Sequence, residues 1–172
     1  RGAGCRRRAS VTGVAPMTRL SQAVVLAAGL LTGATLLSAG TTPAVAAFAG
    51  TALLLAGVQR EWRAGTTGGG LLAFVGVVYA GETGLAPQLL VVATIGAVLA
   101  WDAGVNAVGL AEQLDARASS HRAELVHTGS TVVAVAGVGA VVLLAYSVGR
   151  GVVPPAAVLP VAVGALLVAA GL

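Results

Sequence analysis

The sequence predicts an all-α fold, a polytopic transmembrane helical bundle of about six spans arranged as three hairpins. Three observations predict it. First, 57 % of the 172 residues are hydrophobic and 9 % are charged, whereas a soluble domain carries roughly a quarter charged residues. So few charges cannot clothe a water-facing surface, and lipid is the expected solvent. Second, apolar runs of span length alternate with turns marked by Gly and Pro. Third, the arginines cluster on one side of the membrane in the resulting threading. At about 20 residues per span, six helices use ~120 residues and leave only short loops. No room remains for a separate soluble domain.

The first span is expected from Leu20 to Ala39, longer than a signal-peptide apolar region and without a convincing cleavage site. Gly40-Thr41-Thr42-Pro43 breaks it. The second span runs from Ala44 to about Val58, a short run completed by Gln59 at the interface. Gln59-Arg60-Glu61-Trp62-Arg63 then reads as an interfacial anchor. Gly65 to Gly70 is expected to be a flexible connector, and the third span to be about Leu71–Ala80, extended at both ends by glycines. These two short spans could be tilted or partly re-entrant. After the turn at Gly81–Pro87, the fourth span starts near Pro87, a residue suited to a first helical turn, and its pattern continues past Trp101 to Ala118. The fifth helix is expected from Ser119 or Ser120, both good N-cap types, to Gly149. Its apolar part is Val132–Tyr146. Arg150, Pro154 and Pro155 form the last outer turn, and the uncharged sixth span covers Ala156–Leu172. The three outer turns each combine Gly with Pro, but Pro43, Pro87 and Pro155 are unequally spaced, so a true internal repeat is disfavoured.

The basic excess comes from ten Arg with no Lys. With the N-terminus inside, nine of them (Arg1, Arg6, Arg7, Arg8, Arg19, Arg60, Arg63, Arg117 and Arg122) fall on the cytoplasmic side and only Arg150 outside. This predicts a multi-pass protein of the cell membrane with both termini in the cytoplasm. Read as orientation signals, the arginines need no nucleic acid. Met17-Thr18-Arg19-Leu20 looks like a natural start, so residues 1–16 are set apart as a disordered basic tail that need not be native, and residues 17–172 as the transmembrane domain. Cys5, the only cysteine, can form neither an internal disulfide nor a metal site, and no apolar region precedes it as a lipoprotein signal would require.

The informative polar segment is WDAGVNAVGLAEQLDARASSHRAELVHTGS, from Trp101 to Ser130. At 100° per residue Asp102, Asn106, Gln113 and Arg117 share one stripe, with Glu112 nearby. The fifth helix answers with His121, Arg122, Glu124 and His127. The two helix ends are expected to form a cytoplasmic hairpin around residues 102–130, with Arg117 meeting Glu124 and Arg122 meeting Asp115. These polar residues are the candidate partner-docking surface.

Other chemistries are weaker. Glu124-x-x-His127 has the spacing of a carboxylate-bridged di-iron ligand pair, but no second such pair exists in the chain. Asp102 near the membrane edge could serve an ion path, although a solvated or Arg-paired helix-end carboxylate accounts for it more simply. No charge lies in the middle of any span; mid-span polar groups are hydroxyls such as Thr35, Thr51 and Thr94. No phosphate-binding loop, HExxH motif or serine–histidine constellation is present. No cofactor is expected. Gly29-x-x-x-Gly33 and Ala46-x-x-x-Gly50 allow close helix contact and are assigned to packing within the chain before dimerisation.

Residues Trp101, Asp102, Asn106, Ala107, Gly109, Leu110, Glu112, Gln113 and Leu114, with Arg122, Glu124, Leu125, Val126 and His127, give the segment a further meaning. In it the chain resembles a family of small, uncharacterised haloarchaeal multi-pass membrane proteins encoded near MoxR-type ATPases and DUF58-type proteins. The resemblance implies a membrane component of such a system, with an AAA-type ATPase or a DUF58-type protein as cytoplasmic partner. The expectation is therefore a non-enzymatic membrane subunit or scaffold. The alternative is a small transporter or channel subunit acting as an oligomer. A pathway would gather Thr35, Tyr79, Thr94 or Asp102 around one cavity; a scaffold would be a dry bundle with polar residues confined to the hairpin.

Overall fold

The computed structural model describes residues 17–113, 121–149 and 164. The basic tail with Cys5, the turn at Ser119–Ser120, the Arg150–Pro155 turn and the sixth span lie outside the described residues. Five long helices are present: α1 (Met17–Leu36, followed by a 3-10 turn at Leu37–Ala39), α2 (Thr41–Gln59), α3 (Arg63–Glu82), α4 (Pro87–Gln113) and α5 (His121–Val148). Each contains a stretch long and apolar enough to cross a membrane. There is no strand among the described residues.

Backbone chemistry places the breaks. Gly40 ends the first turn region with φ 128°, a conformation open to glycine. Two further turns share one geometry. After α3, Gly84 (φ 86°) donates to Gly81 O at 3.2 Å and Leu85 N donates to Ala80 O at 3.1 Å. After α2, Glu61 (φ 52°) donates to Val58 O at 3.3 Å and Trp62 N donates to Gly57 O at 2.8 Å. Both are Schellman caps, which satisfy carbonyls left free at a helix end. Glu61 adopts a left-handed conformation that disfavours a residue with a Cβ, and the cap's hydrogen bonds hold it there.

Helices α1 to α4 form a four-helix core. The most extensive packing joins α2 to α3, then α1 to α4, and α2 also reaches α4. The hairpins formed at the Gly40 and Gly84 turns are thus not independent units, because the most extensively packed helix pair joins one to the next. Helix α5 packs on the outside, against α4. One apolar cluster includes Leu36, Ala47, Val77 and Leu90, and a second includes Val25, Leu54, Ala100 and Ala103.

The third span corrects the sequence expectation. Gly65–Gly70 is not a connector: it is helical, and α3 begins at Arg63. Its glycines are contact points. A Cβ on Gly69 would lie 2.6 Å from Gly50 O, and one on Gly50 would lie 2.6 Å from both Gly69 O and Ala73 N. A Cβ on Gly57 would lie 2.6 Å from Thr66 N, and one on Gly76 2.7 Å from Pro43 O. Pro43, Gly50 and Gly57 on α2, seven residues apart, therefore face Gly76, Gly69 and Thr66 on α3. The missing side chains let two backbones approach closely, and dispersion between them replaces the hydrophobic drive that lipid cannot supply. The second and third spans are full-length helices for the same reason. Gly29 and Gly33 serve the same purpose between α1 and α2: added Cβ atoms would run into Thr51 and Phe48.

Buried hydroxyls are satisfied locally. Thr51 Oγ1 donates to Ala47 O at 2.8 Å and Thr94 Oγ1 to Leu90 O at 2.7 Å, each one turn back in its own helix. Thr32 Oγ1 lies 2.9 Å from Ala28 O and 3.3 Å from Ala93 O, so its bond is shared between α1 and α4. Thr35, half-buried on α1, donates to Leu31 O at 2.8 Å.

Adjacent glycines on α3 supply the test. Gly69→Ala meets backbone and is expected to destabilise by about 1–3 kcal/mol, the usual range for overpacking. At Gly68 an added Cβ meets only Leu53 Cδ2 at an ordinary 3.7 Å. Gly68→Ala is expected to be neutral or to stabilise by up to about 1 kcal/mol through helix propensity. Thermal unfolding in detergent micelles measures both, and equal shifts would contradict the close α2–α3 contact.

Candidate functional site

Helix α4 is fixed to the core on two sides just where its polar segment begins. The Trp101 ring lies on Gly70 of α3, where an added Cβ would come within 2.6 Å of it. Gly104 faces Leu54 and Val58 of α2 and Thr66 of α3. Ala100 and Ala103 are buried. This anchoring leaves Asp102 on the flank that faces α5. Val91 and Ile95 lie on that flank too, eleven and seven residues earlier, a spacing that brings side chains onto one stripe.

The seam with α5 has two parts. The part nearer Pro87 is apolar: Val91 and Ile95 pack with Val138 and Val142, and Ile95 also lies against Gly139. A small cavity here is lined by Val91, Thr94, Ile95, Val135, Val138, Gly139 and Val142. Thr94 is its one polar lining side chain, and that hydroxyl already donates within α4. About 16 Å further along α4, at 1.5 Å per residue, the seam ends in a polar contact. His127 Nε2 of α5 lies 3.2 Å from Asp102 Oδ2. With the carboxylate ionised, the imidazole is the donor.

The pair is partly covered, with side-chain exposures of 43 % for His127 and 37 % for Asp102. Both residues fall inside span-length apolar stretches, Pro87–Leu110 and Leu125–Val148. Asp102 lies about 22 Å along α4 from Pro87, short of the ~30 Å hydrocarbon thickness. An ionisable group at that depth is costly unless paired, and each residue supplies the other's partner. Chemically, the pair can hold α5 to α4 and share a proton between an imidazole and a carboxylate. It offers two ligand-type groups. Among the described residues no three His, Cys, Asp or Glu side chains come together as a metal site would require.

The structure treats the other docking candidates unequally. Asn106 follows Asp102 by one turn and is half-buried. Glu112 and Gln113 fall in the last turn of α4, and Arg122 and Glu124 in the first turn of α5. Their side chains, and the whole of Arg117 and Asp115, lie outside the described residues, as do the two expected ion pairs of the hairpin. Sequence reasoning selected Asp102 and His127 separately and missed their partnership. A turn centred on Ser119–Ser120 would put Asp102 opposite a residue well beyond His127. The signal available was the α4 stripe itself, since Val91, Ile95 and Asp102 recur at helical spacing on one side.

A double-mutant cycle of Asp102→Ala and His127→Ala is expected to give a coupling energy of about 0.6 kcal/mol, with about 1.7 as the upper end, the range found for polar contacts between membrane helices. Unfolding in micelles reports it. Additive effects would show that the two side chains do not depend on each other.

No curated protein and no solved structure matched the chain. A family match does cover residues 15–169, which include all five described helices. The chain belongs to DUF7519, a family of unknown function.

Proposed function

We propose that the chain is a non-enzymatic subunit or scaffold of the cell membrane whose α4–α5 hairpin docks a cytoplasmic protein. In this reading the sixth span, Ala156–Leu172, completes three hairpins, and both termini face the cytoplasm. Helix length is the observation that carries it. Helices α1, α2 and α3 have 20, 19 and 20 residues, about 30 Å each and so matched to the bilayer. Helices α4 and α5 have 27 and 28 residues, about 40 Å each. The excess in α4 lies at its C-terminal end, beyond Leu110, and that in α5 at its N-terminal end, before Leu125. Both therefore extend on one side, the side of the Gln59–Arg63 turn. The extensions carry Glu112, Gln113, Arg122 and Glu124, polar residue types that a protein partner can recognise.

Dry packing of the core also favours a scaffold. The buried threonines described above bond within their own helices or to a neighbouring carbonyl, Tyr79 is exposed, and the half-buried Thr35 bonds within α1. An AAA-type ATPase or a DUF58-type protein is the partner class implied by the resemblance at Trp101–His127, as is kinship with haloarchaeal membrane proteins. The second reading, a transporter or channel subunit acting as an oligomer, draws on one observation: the Asp102–His127 pair lies inside two apolar stretches.

Affinity capture from membranes, comparing the wild type with the triple variant Glu112→Ala, Arg117→Ala, Glu124→Ala, tests the docking reading. Loss of the captured cytoplasmic protein, with the subunit still inserted and folded, is expected. An unchanged set of captured proteins would sink it.

A further inference from the structure

Outside the α4–α5 seam, the most distinctive polar feature is the turn joining α2 to α3, Gln59 to Arg63. We propose that this turn is a preformed site for the phosphate headgroups of anionic lipids, with Trp62 set at headgroup level and Arg60 and Arg63 on either side of it.

The turn's shape is fixed. Trp62 N donates to Gly57 O at 2.8 Å, and Trp62 O accepts from Gly65 N at 3.0 Å and from Thr66 N at 3.1 Å. Gly57, Gly65 and Thr66 are buried in the α2–α3 contact, so the backbone of Trp62 is tied on both sides to the closest-packed part of the bundle. Its indole lies over Gly65, where any Cβ would collide with the ring. The ring is nonetheless 48 % exposed. A half-covered indole packed on its own turn at the end of two membrane-length helices is the arrangement that suits the headgroup zone.

The charges agree with this placement. Arg60 and Arg63 are exposed at the same membrane edge, and Arg60 makes no ion pair among the described residues. Guanidinium groups match phosphate geometry with paired donors, and their alkyl stems can lie along apolar surface while the heads reach the interface. Because the backbone is fixed before any lipid arrives, the ordering left to binding is that of the two arginine side chains. Glu61 opposes the attraction. Its left-handed backbone could be taken by glycine, as the matching cap at Gly84 shows, so its carboxylate limits how strongly the turn attracts anions.

The chain's two tryptophans make the site readable. In a Trp101→Phe background, Trp62 is the sole indole. The protein is placed in nanodiscs of phosphatidylcholine with a minority of phosphatidylglycerol, with bromine carried by one lipid class at a time. Brominated phosphatidylglycerol is expected to quench Trp62 well beyond its share of the bilayer. The double variant Arg60→Gln, Arg63→Gln is expected to lower that preference by about tenfold or more, since one arginine near an anionic surface accounts for about fivefold. Glu61→Gln is expected to raise it, and added salt to weaken it. Quenching in proportion to bilayer composition, a preference that survives the double substitution, or no quenching by either lipid would overturn the proposal. Displacement of the brominated lipid by inorganic phosphate would instead make this a site for free anions. The readout is the same from either face of a nanodisc, so it does not depend on the orientation of the chain or on a protein partner.

Discussion

The close approach of α2 and α3 is the constraint on which the rest of the fold depends. In a bilayer the solvent is as apolar as the protein, so helices gain little by hiding leucines from it. What holds them is contact area between surfaces that fit. Here that fit is made by what is missing. Gly50, Gly57, Gly69 and Gly76 bring backbone against backbone, and α1 and α4 complete a compact core around the pair. The same contact immobilises Gly65 and Thr66, which hold the Arg60–Arg63 turn, and places Gly70 where Trp101 can seat α4.

From that seating follows the position of the polar pair. Trp101 and Gly104 face the core, so Asp102 faces α5, and α5 closes an apolar seam that ends in His127. Helix α5 is bound to the rest through α4 and leaves residues such as Val133 and Leu144 exposed. In lipid this exposure is no penalty. One helix thus belongs to the core and its partner does not, and both are longer than the bilayer thickness requires. The Asp102–His127 contact ties the peripheral helix to the one that is fixed in the core.

Much of the helical architecture was legible in the sequence because it rests on composition and on Gly and Pro punctuation. The starts of α4 at Pro87 and the break at Gly40 were readable from residue type alone. The N-terminal half of α3 was not. Its glycines carry a loop signal in a soluble protein and a packing signal in a membrane protein, and only the facing helix decides between them. Gly65, Gly69 and Gly70 became helical because α2 and Trp101 were there to meet them. The Asp102–His127 contact was hidden for a related reason: residues 25 apart are paired by helix register, which the polar pattern of a hairpin leaves undetermined. The cap at Glu61 could not be foreseen from a residue that rarely takes a left-handed conformation.

The central claim is that a dry bundle carries a polar hairpin beyond the membrane on the arginine-rich side. Single cysteines along α4, at Val92, Leu99, Val105, Leu110 and Gln113 in a Cys5→Ser background, test it most directly when a membrane-impermeant maleimide is applied to sealed vesicles from each face. The account predicts no labelling at Val92 and Leu99 from either face, and rising labelling from Leu110 to Gln113 from the cytoplasmic face alone. Labelling at Val92 or Leu99 would reveal water within the bundle, and labelling of Gln113 from outside would reverse the topology; either result would contradict the account.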